Sequence, residues 1–387
     1  MVRAGGRVRS GRSAPVVVVT AAGPAAGAAA VVRVLADRVG APGGPGRVLA
    51  VDTDVPGEPG EPGEPGAPAL VAELAGADVV VHVATPTDLA ADLRTGATRR
   101  RARAVRAVQD VAAAAAAVGA RRLVVVTSAM VYGARPDNPA PLPEDAPLRA
   151  PRDEGVVGDL LEVERIVARL PRIHPGLACT VLRPAPLVGA GVDTFVTRHF
   201  GTPRLLALRG HEMIWQFCHL EDLGTAVAAA VEHDLDGVLT VGCLPGLPAE
   251  AVARLTGMRR TELPAGLAFR TAERLHRHGL LATPAGYLAY VVHPWVVGAQ
   301  RLVEVGWRPR FSAEDCLRAL LDESRTAAGG PTGDDLERLH DGPPGARRVE
   351  PRDAALGAAG AAVAVVGAAA LLRQARLRRT GASRRLR

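Results

Sequence analysis

Asp78-Val79-Val80-Val81-His82-Val83-Ala84 is a short, nearly continuous apolar run, the pattern of a strand buried on both faces. Runs of the same kind stand at 16–20, 47–52, 123–128 and 179–183, and helical patterns at about 25–39, 68–75, 97–118 and 154–170 fall between them. Apolar strands alternating with helical crossovers predict a parallel sheet with helices on both faces, hence a doubly wound α/β fold. Such a sheet takes its ligand outside the carboxyl ends of its strands, so the residues that end each run carry the functional question.

From about 185 the elements shorten. A helix follows Trp215-Gln216-Phe217-Cys218-His219-Leu220-Glu221-Asp222-Leu223, a strand is expected at 237–243, another helix starts at Pro248, and a last one ends near Glu323. The expected organisation is a flexible start at 1–13, a ligand-binding α/β domain at 14–185 and a smaller α/β lobe at 186–327 that closes over the strand ends. A linker at 328–352 and an appended apolar helix and Arg-rich tail at 353–387 follow. Within the first domain, 57–68 holds the triplet repeat Gly57-Glu58-Pro59-Gly60-Glu61-Pro62-Gly63-Glu64-Pro65-Gly66. Gly and Pro at that density propagate neither helix nor ladder, so the segment reads as a solvated loop.

With 387 residues, 48% of them hydrophobic, the chain has material for a large core. Its net charge of +7 resides at the end, because 373–387 holds seven Arg and no acid, leaving 40 Arg against 40 acids elsewhere. A neutral body offers no phosphate-backbone footprint, and no nucleic-acid partner is expected. Cys179, Cys218, Cys243 and Cys316 lie far apart and read as four buried, reduced thiols; His276 and His278 lack a third ligand, so no metal is expected. Arg3, Arg7, Arg9 and Arg12 before Pro15-Val16-Val17-Val18-Val19 mimic a secretory signal superficially. The Val run is short and leads into a helix carrying Arg33, Asp37 and Arg38, so it reads as a first strand and the protein as cytoplasmic. The uncharged stretch 354–372 would span about 28 Å at ~1.5 Å per residue. Ala and Gly dominate it, which makes insertion marginal, and 354–387 is expected to contact a membrane surface, to pack on protein or to stay loosely ordered.

The turn Thr20-Ala21-Ala22-Gly23-Pro24-Ala25-Ala26-Gly27 follows the first run and opens a helix, whose orphan N–H groups favour an anion. Asp52 ends the second run, where an acid hydrogen-bonds a ribose 2′-hydroxyl and repels a 2′-phosphate, favouring NAD over NADP; Asp54 is a nearby substitute. In the third run His82 reads as a core residue and Ala84 as the small terminal residue. Thr127-Ser128-Ala129-Met130-Val131-Tyr132-Gly133 ends the fourth run and puts Ser128 where it can hydrogen-bond a substrate carbonyl or hydroxyl. Leu182-Arg183-Pro184 ends the fifth.

In this order, and with Gln216-Phe217-Cys218-His219-Leu220-Glu221-Asp222-Leu223 and Trp307-Arg308-Pro309 further on, the chain resembles extended short-chain dehydrogenases of the NAD-dependent epimerase/dehydratase family over about 14–325. The resemblance implies a Rossmann domain holding NAD(H) through Thr20, Gly23, Gly27, Asp52, Ala84, Arg183 and Pro184. It also implies a small-molecule substrate of the nucleotide-sugar kind with Ser128 as catalytic residue, and it leaves the oligomeric state open. Three departures bear on chemistry. Of the family's Thr-Gly-x-x-Gly-x-x-Gly only Gly27 is in register; Val156 and Leu160 replace its Tyr-x-x-x-Lys pair, with no Lys anywhere in the chain; and Ala104 replaces its Asn. That Tyr moves the hydroxyl proton, and the Lys lowers the Tyr pKa and holds the nicotinamide ribose. Tyr132, Asp159 and Glu162 are the nearby polar candidates to compensate, Asp159 being expected to face solvent or cap a turn. Two functions follow: an epimerase, dehydratase or reductase with a degenerate site, or a non-catalytic dinucleotide-binding regulatory or membrane-associated protein.

Overall fold

The computed structural model describes residues 14–21, 25–53, 67–152, 155–201, 204–278 and 283–327. Six strands form one parallel sheet: β1 (Val16–Ala21), β2 (Arg47–Asp52), β3 (Val79–Val83), β4 (Arg122–Val126), β5 (Ala178–Pro184) and Gly237–Val241. Their spatial order is Gly237–Val241, β5, β4, β3, β1, β2. The chain thus lays β2 on one side of β1 and every later strand on the other, and the reversal opens a crevice at the carboxyl ends of β1 and β3.

Alternation along the strands sorts the core into two layers. Val17, Val19, Val81 and Val83 pack with α1 (Ala26–Ala36) and the helix Leu220–Glu232 on one face. Val18, Val80, Leu123 and Val125 pack on the other face with α2 (Ala67–Glu73), α4 (Ala97–Ala117) and α5 (Val156–Val167). Between β3 and α4 lies α3 (Leu89–Thr95), a short helix capped by the Asp88 carboxylate, which accepts the Ala91 amide at 2.8 Å. Sequence reading left this segment without structure because seven residues carry too little periodicity.

The strand expected at 237–243 forms over Gly237–Val241, but it belongs to the large sheet, pairing with β5 in the register Val238 to Val181. The helix before it, Leu220–Glu232, lies against α1, where a Cβ on Gly224 would come within 2.7 Å of Val34 Cβ. A local pattern gives a strand and not its partner; here the free edge of β5 takes it. Sheet and lobe are therefore interleaved in the chain beyond 186.

The segments around Gln216, Asp222 and Trp307 are tied to one another and to their neighbours by specific bonds. Asp222 accepts the amides of Arg310 (2.7 Å) and Phe311 (3.2 Å), and Trp307 Nε1 donates to Thr225 Oγ1 at 3.0 Å. Gln216 donates to the carbonyls of Cys243 and Val297 and accepts the Val297 amide, at 2.7–3.0 Å. All four cysteines are free thiols; Cys179 is half-buried and the other three are buried, so the expectation of four buried thiols holds for three. Cys179 is the second residue of β5. Gly23, Asp54, most of the 57–68 loop, the linker and the apolar and Arg-rich tail lie outside the described residues. Among the described residues no group of His, Cys, Asp and Glu could hold a metal, and no helix is long and apolar enough to cross a membrane.

Candidate active site

Ser128 follows β4 and caps the single 3₁₀ turn Ala129–Tyr132, its Oγ accepting the Met130 amide at 3.2 Å. With a lone pair engaged, the hydroxyl proton is directed elsewhere, which suits a donor to a substrate oxygen. The turn is locked by Gly133 at φ 79°, where a Cβ would meet the Ala150 nitrogen at 2.9 Å. Only glycine accommodates both the left-handed backbone and that approach.

Ser128 opens into a cavity shared by the ends of β4 and β5 and by the lobe: Pro184, Leu187, Phe195, Tyr287 and Trp295 are among its walls. A second cavity adjoins it between α3, α4 and α5, lined among others by Ala25 before α1, Ala84 after β3, and Ala104. Val156 and Leu160 line both. The positions at which the resemblance places Tyr and Lys thus face the crevice, and they present aliphatic groups to it.

The remaining candidates separate into those near the crevice and those committed to the scaffold. Gly27 sits in α1 with its Cα against Val83, so that a Cβ would lie 3.4 Å from Val83 Cγ1. Asp52 ends β2 and is exposed. Thr20 is fully buried and its hydroxyl bonds His82 Nδ1 at 3.0 Å, tying β1 to β3. Burial lowers the His82 pKa to about 4, so this ring is neutral. Arg183 is buried with its guanidinium on the Glu164 carboxylate (Nε–Oε1 3.0 Å, Nη2–Oε2 2.5 Å), and Thr127 adds a hydroxyl to the same carboxylate at 2.7 Å. Its neighbour Pro184 lines the cavity, while the Arg183 side chain braces β4, β5 and α5. Tyr132 lines neither cavity: its hydroxyl donates to the Glu144 carbonyl at 2.6 Å, and its ring lies under the Arg183 guanidinium at 4.8 Å. Burial pushes that phenol up.

Asp159, expected at solvent or on a turn, is 3% exposed and lines the second cavity. Its carboxylate takes Arg100 Nε at 2.6 Å and Arg101 Nε at 2.8 Å. Burial pushes this carboxyl up against the pull of both guanidiniums. The partners come from α4, which is why the pattern of α5 alone misplaces the residue. Glu162 is engaged by Arg165 at the surface. Sequence reasoning also passed over Asp92, on α3, which lines both cavities and whose pKa burial raises to about 6. It likewise passed over Tyr287, although the chain has only three tyrosines and each could have been weighed.

The geometry fits a dinucleotide. The crevice sits at the switch point of the sheet, α1 points its amino end at it with no acid in the first turn, and the close Gly27–Val83 packing lets that helix sit low on the strands. Thr87 Oγ1 accepts the Ala26 amide at 3.0 Å, so an oxygen already occupies one of the helix's amino-terminal donors. The lobe reaches over the same place, with the Leu89 amide donating to the Asp193 carbonyl and the Asp193 amide to the Thr87 carbonyl, both at 2.8 Å.

A parallel sheet with this switch point, with a serine just past the end of one central strand and a proline ending the next, defines a Rossmann-like fold. Residues 66–242 match the model of the NAD dependent epimerase/dehydratase family. Among solved structures it is similar to a double mutant of DesIV, a dTDP-glucose 4,6-dehydratase from Streptomyces venezuelae determined with NAD bound (TM-score 0.58, 18% identity, 81% of this chain and 98% of that one). It is also similar to the Thermus thermophilus UDP-glucose 4-epimerase in complex with NAD (TM-score 0.56, 17% identity, 80% and 99%). Among curated sequences, an uncharacterized protein of Mycobacterium tuberculosis (strain ATCC 25618 / H37Rv) is 27% identical over 62% of this chain and 64% of its own length. A 3-diazoavenalumate denitrifying reductase from Streptomyces sp. is 35% identical over 50% of this chain and 66% of its own. The chain spans just under two thirds of the length of the curated relatives it matches.

Proposed function

We propose that this protein binds NAD(H) in the crevice at the carboxyl ends of β1 and β3 and exchanges hydride with a small molecule carrying an alcohol or a carbonyl, nucleotide sugars being the first class to try. The amino end of α1 above Gly27, Asp52, Ala84 and Pro184 would hold the dinucleotide, which when bound supplies the hydride acceptor or donor. Ser128 polarises the substrate oxygen. The observation that carries this reading is that the two cavities share Thr85, Pro86, Asp92, Val156 and Leu160 as walls, with Ala25 and Ala84 at the cofactor side and Ser128 and Pro184 at the chemical side. Solved neighbours determined with NAD, some with nucleotide sugars, support it.

The test incubates the full chain with NAD and a panel of UDP- and dTDP-sugars and follows NADH. Sugar-dependent NADH formation that drops on Ser128→Ala, with NADH affinity kept, is the expected result. Turnover unchanged by Ser128→Ala contradicts the assignment of that serine. A second reading, a dinucleotide sensor without turnover, is favoured by the aliphatic Val156 and Leu160 in the cavity wall; NADH binding with no hydride exchange across the panel selects it.

A further inference from the structure

Tyr132 donates to the Glu144 carbonyl (2.6 Å) and Tyr290 to the Met130 carbonyl (2.8 Å), both structural bonds. Tyr287, from the C-terminal lobe, has its oxygen at the start of α5, where it accepts the Val157 amide at 3.2 Å. Its ring is fixed edge-on by Phe195 (centroids 5.6 Å) and Tyr290 (6.1 Å), and the residue lines the Ser128 cavity. Val157 is the residue directly after Val156, so a phenol oxygen supplied by the lobe lies beside the position where the α5 phenol is missing.

We propose that Tyr287 is the proton-transfer residue of the Ser128 cavity, reaching it from the lobe, and that the amino end of α5 does for its oxygen what a neighbouring cation would do. This rests on the NAD(H) reading above. In the reductive direction the Tyr287 O–H bond breaks and its proton goes to the carbonyl oxygen polarised by Ser128, while the carbonyl carbon gains the hydride given up by NADH. The carbonyl becomes an alcohol, NADH becomes NAD⁺, and the phenolate is reprotonated from solvent. Negative charge developing on the Tyr287 oxygen meets the Val157 N–H and the positive end of a twelve-residue helix. Leu160 then needs no charge, and Val156 needs no hydroxyl.

Tyrosine labelled with ¹³C at Cζ in the full chain gives a readout independent of turnover. Three resonances are expected, and the one lost in Tyr287→Phe identifies Tyr287. Titration with NAD should move that resonance to saturation while Tyr132 stays in place; a stationary Tyr287 signal at cofactor levels shown to saturate by NADH fluorescence overturns the proposal and leaves the dinucleotide reading intact. Failure to bind NADH at all removes that reading first and the proposal with it. In the sugar assay Tyr287→Phe should lower kcat roughly 10²- to 10⁴-fold, the usual worth of an acid–base group, with NADH affinity unchanged. Turnover within threefold of the parent chain overturns the proposal, as does a parent chain that binds NAD and oxidises none of the sugars.

Discussion

Two histidines are held neutral by burial: His82, bonded to Thr20, and His199, stacked on Trp215, each 1% exposed and each with its pKa lowered to about 4. Unfolded, both rings titrate near 6.5. Between about 4 and 6.5 the unfolded chain therefore binds more protons than the folded one, and stability rises with pH across that window. Each ring takes away about 3 kcal/mol once the pH has fallen through its folded pKa. Asp92 works in the opposite sense, since its raised pKa of about 6 means that the folded chain keeps a proton the unfolded chain has lost, so its contribution falls as pH rises from about 4 to 6. Two histidines outweigh one acid. The melting temperature should climb from pH 4.5 to 6.5, and His82→Gln should remove most of that climb, since the remaining histidine and Asp92 then nearly cancel; a slope unaffected by the substitution would remove His82 from the account. At this scale the sequence was legible where a role depends on one strand, as for the buried His82. It was not where partners come from a second element, as for Asp159 under the α4 arginines or Arg183 turned onto Glu164.

The crevice depends on how low α1 sits on the sheet, and two glycines set that height. Gly27 brings the helix onto Val83, and Gly224 lets Leu220–Glu232 close on Val34 from the side. A methyl at Gly224 meets a branched Cβ at 2.7 Å, and neither backbone can yield without disturbing the core it covers. Gly224→Ala should cost about 1–3 kcal/mol, the usual range for overpacking, read as a lower denaturation midpoint with unchanged slope. A variant as stable as the parent would mean that the two helices are not packed this closely. Helices and strands of the first half were legible because long runs repeat the buried-strand and crossover patterns. The short α3, which brings Asp92 to the crevice, was not, and neither was the sheet partner of Gly237–Val241, since an edge pairing leaves no local mark.

For the whole molecule, residues far apart in the described chain, from Thr85 to Trp295, meet at one place. The strand ends contribute Ser128 and Pro184, α5 contributes Val156 and Leu160, and the lobe returns to add Tyr287 and Trp295. The strand-end half of this site could be read from motifs. The lobe half could not, because Tyr287 enters the cavity through long-range packing against Phe195 and Tyr290 rather than through any spacing from Ser128. The central claim is that the crevice at the carboxyl ends of β1 and β3 accepts a dinucleotide although only one of the three expected glycines stands in register. Titrating the full chain into NADH and following cofactor fluorescence tests it most directly. Saturable enhancement that added NAD competes away is the predicted result, and no binding at millimolar cofactor would contradict the account.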